Sequence, residues 1–386
     1  MGKRARVIYA PEDWFAKGHK KSEGTFVFLA GPIQGGPEWH RDLIEKYGED
    51  PAFDDVIWIV PKRKTFDKAT FDWNEQVEWE TKHLRMSDVV LFWIPPEVEH
   101  IEGRDYAQTT RVEFMESLAR GKKVIAGISE GINLKRYMVY KGQKYGMKKV
   151  HDNLDDVMAE LKEYLQGEYS KNSKLHYYTS DTHFSSDRTL ELSVRPFRDL
   201  EDMDWTMIQR WNDKVPAHAS VIHLGDFGNY DILKYLNGRV CLIMGNYERK
   251  EMEDAKTSFE KKREELKSFG FDSVYKGESI DEEMLWTKIK SKSGKNGLRK
   301  VWLCHEPTLV NASKKIGESE YVLFGHIHGR QKMKPFGTDV GVDCNNYTPM
   351  SEEDVEFFMN ALDKGYYDEN VWIQSREAET EQERDK

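Results

Sequence analysis

The chain has 386 residues, enough for two domains of ordinary size, because single hydrophobic cores tend to stop growing at about 250–300 residues. Its 58 Lys and Arg residues against 68 Asp and Glu residues give a net charge of −10, which argues against nucleic acid or anionic membrane as the main partner. No apolar run approaches the roughly 20 residues of a bilayer span, the amino-terminal stretch lacks the apolar core of a signal peptide, and the cysteines are too widely spaced for a disulfide framework. We therefore expect a soluble cytoplasmic protein with reduced thiols.

The first half alternates predicted strands and helices. The stretch "GTFVFLAGPIQGG" (24–36) begins with an apolar run typical of a buried strand, and Gly31 then opens a glycine-rich loop, which on its own is a weak signal for phosphate binding. Three more strands are predicted at 56–63, 88–96 and 123–128, and two helices at 71–88 and 109–122. Asp72 and Glu75 have the spacing of a capping box at the start of the first of these helices. This alternation predicts an α/β fold with a doubly wound parallel sheet.

Three stretches of this half resemble the nucleoside 2-deoxyribosyltransferase-like family over roughly residues 24–130: "FLAGPI", "QVEWETKHLRMSDVVLFWIP" and "TTRVEFMESLARGKKVIAGI". The resemblance implies a carboxylate that attacks the anomeric carbon of a ribose or deoxyribose and expels the base, leaving a glycosyl-enzyme that a second base or water resolves. Glu113 matches the nucleophile, and Asp88 matches an acid that orients the sugar or the base. Gly31 and Asp105 are the expected substrate contacts, with Asp105 as a third acid.

Glu113 has two interpretations from its local sequence. Thr110 and Glu113 have the spacing of a capping box, in which the glutamate side chain bonds back to the start of the predicted helix. A carboxylate in the first turn of a helix also lies at the positive end of the helix dipole, which keeps it ionised and ready to act as a nucleophile. The two interpretations are partly compatible, and the sequence leaves both open.

A predicted helix and a short polar stretch mark a domain boundary. Apolar residues at helical spacing over 152–167 predict a helix that closes the first domain, and the polar "EYSKNSK" that follows suits a linker. We expect a first domain over 1–168, a linker over 169–174, a second domain over 175–374 and a charged, disordered tail over 375–386. The basic stretch 288–300 has the pattern of a solvated hairpin tip, although it could also touch phosphate.

Five apolar runs of the second half each finish in a side chain able to bind metal. Taken singly each has an ordinary explanation, such as a helix cap at His183 or a buried core histidine at His305. Ligands of α/β proteins collect at the carboxyl ends of strands, however, so the ordered series predicts one convergent site. The residues of this series are Asp181, His183, Asp226, Asn246, His305, His326 and His328.

The motifs "SDTHFSSD", "HLGDFG", "MGNYE", "CHEP" and "FGHIHGR" resemble those of the calcineurin-like metallophosphoesterases. The resemblance implies a two-layer β-sandwich flanked by helices, with two divalent cations at one edge. It implies one cation held by Asp181, His183 and His328, a second held by Asn246, His305 and His326, and Asp226 as the bridge between them. Carboxylate, amide and imidazole ligands without a thiolate suit Mn, Fe, Ni, Zn or Mg, and the sequence does not choose among them.

Tyr247 stands where this family has a histidine that contacts the phosphate and helps to protonate the leaving group. Tyrosine can still donate a hydrogen bond to a phosphate oxygen, but with a reference pKa of about 10 it is a poorer proton source than histidine. We therefore expect an intact metal centre that prefers substrates with acidic leaving groups. The alternative is that Tyr247 is an ordinary packing residue.

The two halves together predict a bifunctional nucleotide-processing enzyme of a bacterium or phage. One half would cleave or transfer an N-glycosidic bond, and the other would hydrolyse a phosphate ester with two divalent metal ions. The expected partner is a small nucleoside or nucleotide, and a homo-oligomer is left open. Two alternatives are a phosphoesterase whose first domain only recognises nucleotides, and a nucleotide-binding protein without turnover.

Overall fold

The structure is a computed structural model of the chain, and it describes residues 5–172, 175–277, 285–308 and 320–366. The chain divides into two compact units, Met1–Asn172 with Pro216–His218, and Ser173–Val215 with Ala219–Lys386. The tail predicted over 375–386 lies outside the described residues. Across the described part of the chain, no helix combines the length and the apolar character needed to cross a membrane.

The first unit is built on a five-stranded parallel sheet with strand order β1-β3-β2-β4-β5. Its strands are β1 (Arg6–Tyr9), β2 (Thr25–Ala30), β3 (Val56–Val60), β4 (Val89–Ile94) and β5 (Lys123–Ile128). Its helices are α1 (Trp39–Tyr47), α2 (Trp73–Met86), α3 (Gln108–Ala119), α4 (Lys135–Lys144) and α5 (Leu154–Asn172), with 3-10 turns at Phe15–Lys17, Lys21–Glu23 and Pro51–Phe53.

Helices cover both faces of this sheet, so the predicted doubly wound arrangement is present. Val27 and Leu29 of β2 pack in one core with residues of α1 and α5. On the opposite face the ring of Phe28 lies 6.4 Å from that of Trp79 on α2, and Phe92 of β4 contacts Phe114 on α3. Because both faces are covered, the central strands are buried along their whole length, which explains their unbroken apolar sequences.

Two details of the first unit differ from prediction. The closing helix, predicted over 152–167, continues to Asn172, so backbone predicted as linker is helical. Asp72 caps α2 by accepting hydrogen bonds from the backbone N–H groups of Asn74 and Glu75. Glu75, which is three residues further and was expected to complete a capping box, instead forms an ion pair with Arg63 (2.6 Å).

The second unit contains two five-stranded sheets, ordered β15-β6-β7-β8-β9 and β10-β11-β12-β14-β13 among the described residues. Its strands are β6 (His176–Thr179), β7 (Ser220–His223), β8 (Arg239–Ile243), β9 (Ser273–Tyr275), β10 (Leu285–Lys295), β11 (Leu298–Leu303), β12 (Tyr321–Phe324), β13 (Met333–Lys334), β14 (Gly337–Asp339) and β15 (Met350–Ser351). Its helices are α6 (Asp187–Leu192), α7 (Leu200–Lys214), α8 (Asn246–Asp254), α9 (Phe259–Phe269) and α10 (Glu352–Leu362), with 3-10 turns at Tyr230–Tyr235 and Val342–Cys344.

One hydrophobic core joins the two sheets of the second unit. It includes Tyr178 of β6, Val301 of β11 and Leu323 of β12, together with Val355 of α10. A separate core packs α7 and α9 against β7 and β8. Strands β6, β7 and β8 run parallel in one sheet, and β11 and β12 run parallel in the other, so the loops that follow the strands of each group leave its sheet at one edge.

Candidate functional site

The seven metal-ligand candidates of the second unit lie together at the ends of these parallel strands. Two groups of side chains each place their ligand atoms within 4.8 Å of one another, namely Asp181, His183 and His328, and Asp226, His305 and His326. The side-chain oxygen of Asn246 lies 2.8 Å from Nε2 of His305 and 2.9 Å from Nδ1 of His326, which places it in the second group. The structure therefore brings all seven residues to one place.

Asp226 connects the two groups. Its Oδ2 lies 3.5 Å from Nε2 of His183 in the first group and 3.4 Å from Nε2 of His305 in the second. Gly245 is required beside it, because a Cβ at that position would collide with the Asp226 carboxylate. The glycine that precedes Asn246 thus allows the loops after β7 and β8 to approach each other closely.

Several of these residues have backbone angles that ordinary side chains rarely adopt. Asp181, His183 and Asp226 have φ values of 56°, 45° and 59°, and His326 and His328 have values of 73° and 49°. Left-handed backbone at non-glycine residues is unfavourable and persists where the surrounding structure enforces it, as it commonly does at functional sites. The loops after β6, β7 and β12 therefore hold an unfavourable backbone conformation that positions these side chains.

The site is deeply buried and contains unsatisfied polar atoms. Asp181 is 0% exposed and His183 is 2% exposed. Oδ1 of Asp181 and Nε2 of His183 have no hydrogen-bond partner among the described residues. Burial lowers the pKa of His183 to about 4, which keeps its imidazole neutral at pH 7. Burial opposes charge on Asp226 and His305 as well, but their mutual hydrogen bond and attraction lower the pKa of Asp226 and raise that of His305.

Supporting side chains that are not among the predicted ligands orient those ligands. Nδ1 of His328 lies 2.9 Å from Asp343, whose carboxylate accepts two hydrogen bonds from Arg195 (2.8 and 3.1 Å). Arg195 also donates to the backbone carbonyl of Asp181 (2.6 Å). On the other side, buried Glu248 accepts hydrogen bonds from the backbone N–H groups of Asp226, Phe227 and Gly245, which ties the two loops together.

Tyr247 lies beside the first group rather than in a hydrophobic core of the described residues. Its ring packs edge-on against that of His183, with centroids 4.8 Å apart. Its backbone N–H donates to Oδ1 of Asp226 (2.9 Å), and its hydroxyl oxygen accepts a hydrogen bond from Arg188 (3.2 Å). The half-buried phenol is therefore a component of the site.

In the first unit, Glu113 lies in the second turn of α3 and not at its cap. The helix begins at Gln108, and its N-cap, Ala107, offers no capping side chain, so the capping-box interpretation is wrong. Burial, reinforced by the negative charge of Glu80, raises the pKa of Glu113 to about 8. The expectation that the helix dipole keeps this carboxylate ionised is therefore also wrong, because desolvation outweighs it.

Glu80 of α2 is an acid near Glu113 that no sequence motif indicates. Its charge raises the pKa of Glu113, and burial raises its own pKa although Gln76 donates a hydrogen bond to it (2.9 Å). The other end of the Gln76 amide accepts from Arg63 (2.9 Å), which lines a cavity of about 310 Å³ with Lys64. This cavity lies beside the residues that follow β1 and β3. The hydrogen bonds of Gln76 with Arg63 and Glu80 connect it to Glu80 and Glu113, which are called the acid pair below.

Asp88, Gly31 and Asp105 are the other site residues predicted in this unit. Asp88 immediately precedes β4, whereas Gly31 immediately follows β2, so the two lie at opposite edges of the parallel sheet. The Asp88 carboxylate accepts hydrogen bonds from buried Lys21 (2.6 Å) and from the backbone of Phe26 (2.7 Å), which indicates an anchor and argues against the predicted contact with substrate. Gly31 is buried against the backbone of Trp93, and Asp105 is exposed.

Comparison with known proteins finds a family match within the first unit. Residues 24–131 match the family "Nucleoside 2-deoxyribosyltransferase like". This match supports a nucleoside-related role for the first unit, and Glu80 and Glu113 both lie inside the matched residues.

Two individual proteins are also similar to parts of the chain. An uncharacterized protein of Methanocaldococcus jannaschii is 33% identical over 81 residues, which is 19% of this chain and 46% of that protein, so the match spans less than half of the relative. The crystal structure of a protein of unknown function, AQ665 from Aquifex aeolicus, is 20% identical and covers 48% of this chain and 98% of its own, with a TM-score of 0.32.

Proposed function

We propose that the second unit hydrolyses a phosphate ester with two divalent cations, in the manner of the calcineurin-like metallophosphoesterases that its motifs resemble. The observation that carries the proposal is the position of Asp226, whose Oδ2 lies between His183 and His305 at 3.5 and 3.4 Å. A carboxylate shared by two neighbouring ligand groups suits a two-metal centre. One cation would be held by Asp181, His183 and His328, and the other by Asn246, His305 and His326, with Asp226 between them.

The side chains fit such cations. Buried polar atoms rarely lack a partner, and Asp181 Oδ1 and His183 Nε2 have none among the described residues, so a cation would satisfy both. The donors are carboxylate, amide and imidazole, which suit Mn, Fe, Ni, Zn or Mg. Bound cations would neutralise charge on the phosphoryl oxygens and lower the pKa of a water molecule toward neutrality.

The chain itself supplies orientation and hydrogen bonds. Nδ1 of His328 is hydrogen-bonded to Asp343, which leaves the other ring nitrogen as the one that would bind a cation. Burial keeps His183 neutral, so that its nitrogen retains the lone pair that a ligand needs. Tyr247 is placed to donate a hydrogen bond to a phosphate oxygen. No nucleophilic side chain is required, because a water molecule would attack the phosphorus.

The test is reconstitution of the purified protein with Mn²⁺, followed by assay of an aryl phosphate ester. Asp226→Asn should remove measurable hydrolysis and reduce bound Mn²⁺, because the substitution removes the shared carboxylate. Asp213→Asn, the same type of substitution outside the metal-ligand cluster, is the control. Absence of hydrolysis of every monoester and diester by the wild-type protein would refute the proposal.

A second activity, on the N-glycosidic bond of a nucleoside or nucleotide, is favoured by the acid pair of the first unit. Burial raises the pKa values of both Glu113 and Glu80, which favours a protonated carboxyl in this site near neutral pH, so that one group can act as an acid while the other acts as a base or nucleophile. The family resemblance assigns the nucleophile to Glu113. Glu80 would then deliver the proton to the departing base. With both activities the chain is a bifunctional nucleotide-processing enzyme.

A further inference from the structure

Arg188 and Tyr247 lie side by side at the rim of the ligand cluster. Arg188 is an exposed residue of α6, and its Nη1 lies 3.2 Å from the hydroxyl oxygen of Tyr247, whose ring packs against His183. We propose that these two side chains form an anion-binding pair that contacts the non-bridging oxygens of the substrate's phosphate. The proposal rests on the phosphoesterase function proposed above and identifies a substrate-binding element that replaces the histidine expected at position 247.

The direction of the hydrogen bond leaves a donor available. A guanidinium group can only donate, so the hydroxyl oxygen of Tyr247 must be the acceptor. The phenolic proton is then available for another acceptor, and within the described ranges the hydroxyl makes no second hydrogen bond. Arg188 therefore fixes the hydroxyl while leaving its proton for a ligand.

The charge of Arg188 is also uncompensated within the described residues. None of their carboxylates lies within ion-pair distance of it, although two arginines nearby in the sequence are paired, Arg195 with Asp343 and Arg198 with Asp202. Guanidinium carries five N–H donors, and one of them is used by Tyr247. A guanidinium with free donors is suited to bidentate binding of phosphate.

The chemistry of the pair indicates a preference among phosphate esters. Arginine does not release a proton at physiological pH, so the pair acts by binding charge and not by proton transfer. A phosphomonoester offers two negative charges on its non-bridging oxygens at neutral to alkaline pH, whereas a diester offers one. The pair therefore favours phosphomonoesters and free phosphate over diesters.

The experiment measures binding of inorganic phosphate to the full-length, Mn²⁺-loaded protein by isothermal titration calorimetry. Arg188→Ala should weaken phosphate binding about 10- to 100-fold, which is the usual loss for a charged hydrogen bond, with Arg188→Lys in between. Bound Mn²⁺ should stay the same in both variants. Arg198→Ala is the matched control, because it removes an exposed arginine that is paired with Asp202.

Kinetics give a second readout. For an aryl phosphomonoester, Arg188→Ala should raise KM more than it lowers kcat, and it should reduce the ratio of monoester to diester hydrolysis. Unchanged phosphate affinity in Arg188→Ala would overturn the proposal, as would loss of Mn²⁺ together with phosphate, which would indicate a structural role. If the wild-type protein binds phosphate through Arg188 but hydrolyses no ester, the proposed phosphoesterase function fails while the anion-binding pair stands.

Discussion

The two units place their candidate site residues on different kinds of structure. In the second unit Asp181, Asp226 and His326 each follow a strand by two or three residues, at β6, β7 and β12. In the first unit Glu80 and Glu113 lie inside helices α2 and α3. Parallel strands bring their carboxyl ends to one edge, so residues after strands converge by topology alone. Residues on helix faces meet only through the packing of those helices.

The two sites also differ in the charge state of their buried carboxyl groups. The carboxylate of Asp226 is surrounded by imidazoles and has a lowered pKa, so it stays ionised and available to cations. Glu113 is raised to a pKa of about 8 by burial and by the neighbouring acid, so it retains its proton. The ionised carboxylate suits the metal binding proposed for the second unit, and the protonated carboxyl suits the proton transfer proposed for the first, so substitutions in one site should leave the other intact.

The largest expected effect comes from Glu113→Gln. If Glu113 is the nucleophile, release of base from deoxynucleosides or their monophosphates should fall by about 10³-fold or more. Phosphate ester hydrolysis and bound Mn²⁺ should not change. Glu78→Gln, at an exposed position of α2, is the control. Base release that persists in Glu113→Gln would show that the acid pair is not the site of this reaction.

A smaller effect, with a diagnostic pH dependence, is expected for Glu80→Gln. Attack by ionised Glu113 with Glu80 as the proton donor requires one proton on the pair, so the wild-type rate should fall as the pH rises through about 8, where the pair loses that proton. The charge of Glu80 contributes to that high pKa, so Glu80→Gln should replace this fall in kcat/KM with a rise at lower pH, as Glu113 ionises. The maximal rate should fall about 10²-fold through loss of the proton donor.

The control for this pH profile is Glu78→Gln, an exposed residue of the same helix. Its profile should match that of the wild type. A pH dependence of kcat/KM that is unchanged in Glu80→Gln would mean that Glu80 does not influence the pKa of Glu113. The proposal that the two acids act together would then be refuted.

The sequence predicts some features of the fold and of the candidate sites and not others, for physical reasons. Fully apolar runs such as Val89–Ile94 predicted the parallel sheet, because a strand buried on both faces has no polar positions. Glu80 follows an exposed glutamate, Glu78, in a charged helix, and nothing local separates the two. Asp343 lies in a short 3-10 turn without a pattern, and the left-handed Ala107 starts α3 without any capping side chain. Only tertiary packing reveals their roles.

Tyr247→His tests the missing proton donor of the second unit. If leaving-group protonation limits the rate, this substitution should raise hydrolysis of alkyl phosphates about 10²-fold and leave aryl phosphates, whose leaving groups are acidic, nearly unchanged. Tyr247→Phe is the comparison, because it keeps the ring against His183 and removes the hydroxyl. Equal rates for tyrosine and histidine on alkyl phosphates would indicate that another step is limiting.

The smallest effect is expected for Asp343→Asn, which changes a supporting side chain and no ligand. The carboxylate holds His328 through Nδ1 and is itself held by Arg195, so an amide should weaken the orientation of the ring and its affinity for metal. We expect Mn²⁺ affinity to fall about 10- to 100-fold, with activity restored at high Mn²⁺. Asp339→Asn would not serve as a control, because burial and Asp181 act on that carboxyl as well. Asp363→Asn, at an exposed ion pair with Arg299, serves instead. If excess Mn²⁺ does not restore activity, Asp343 supports the fold of the loop and not the position of His328.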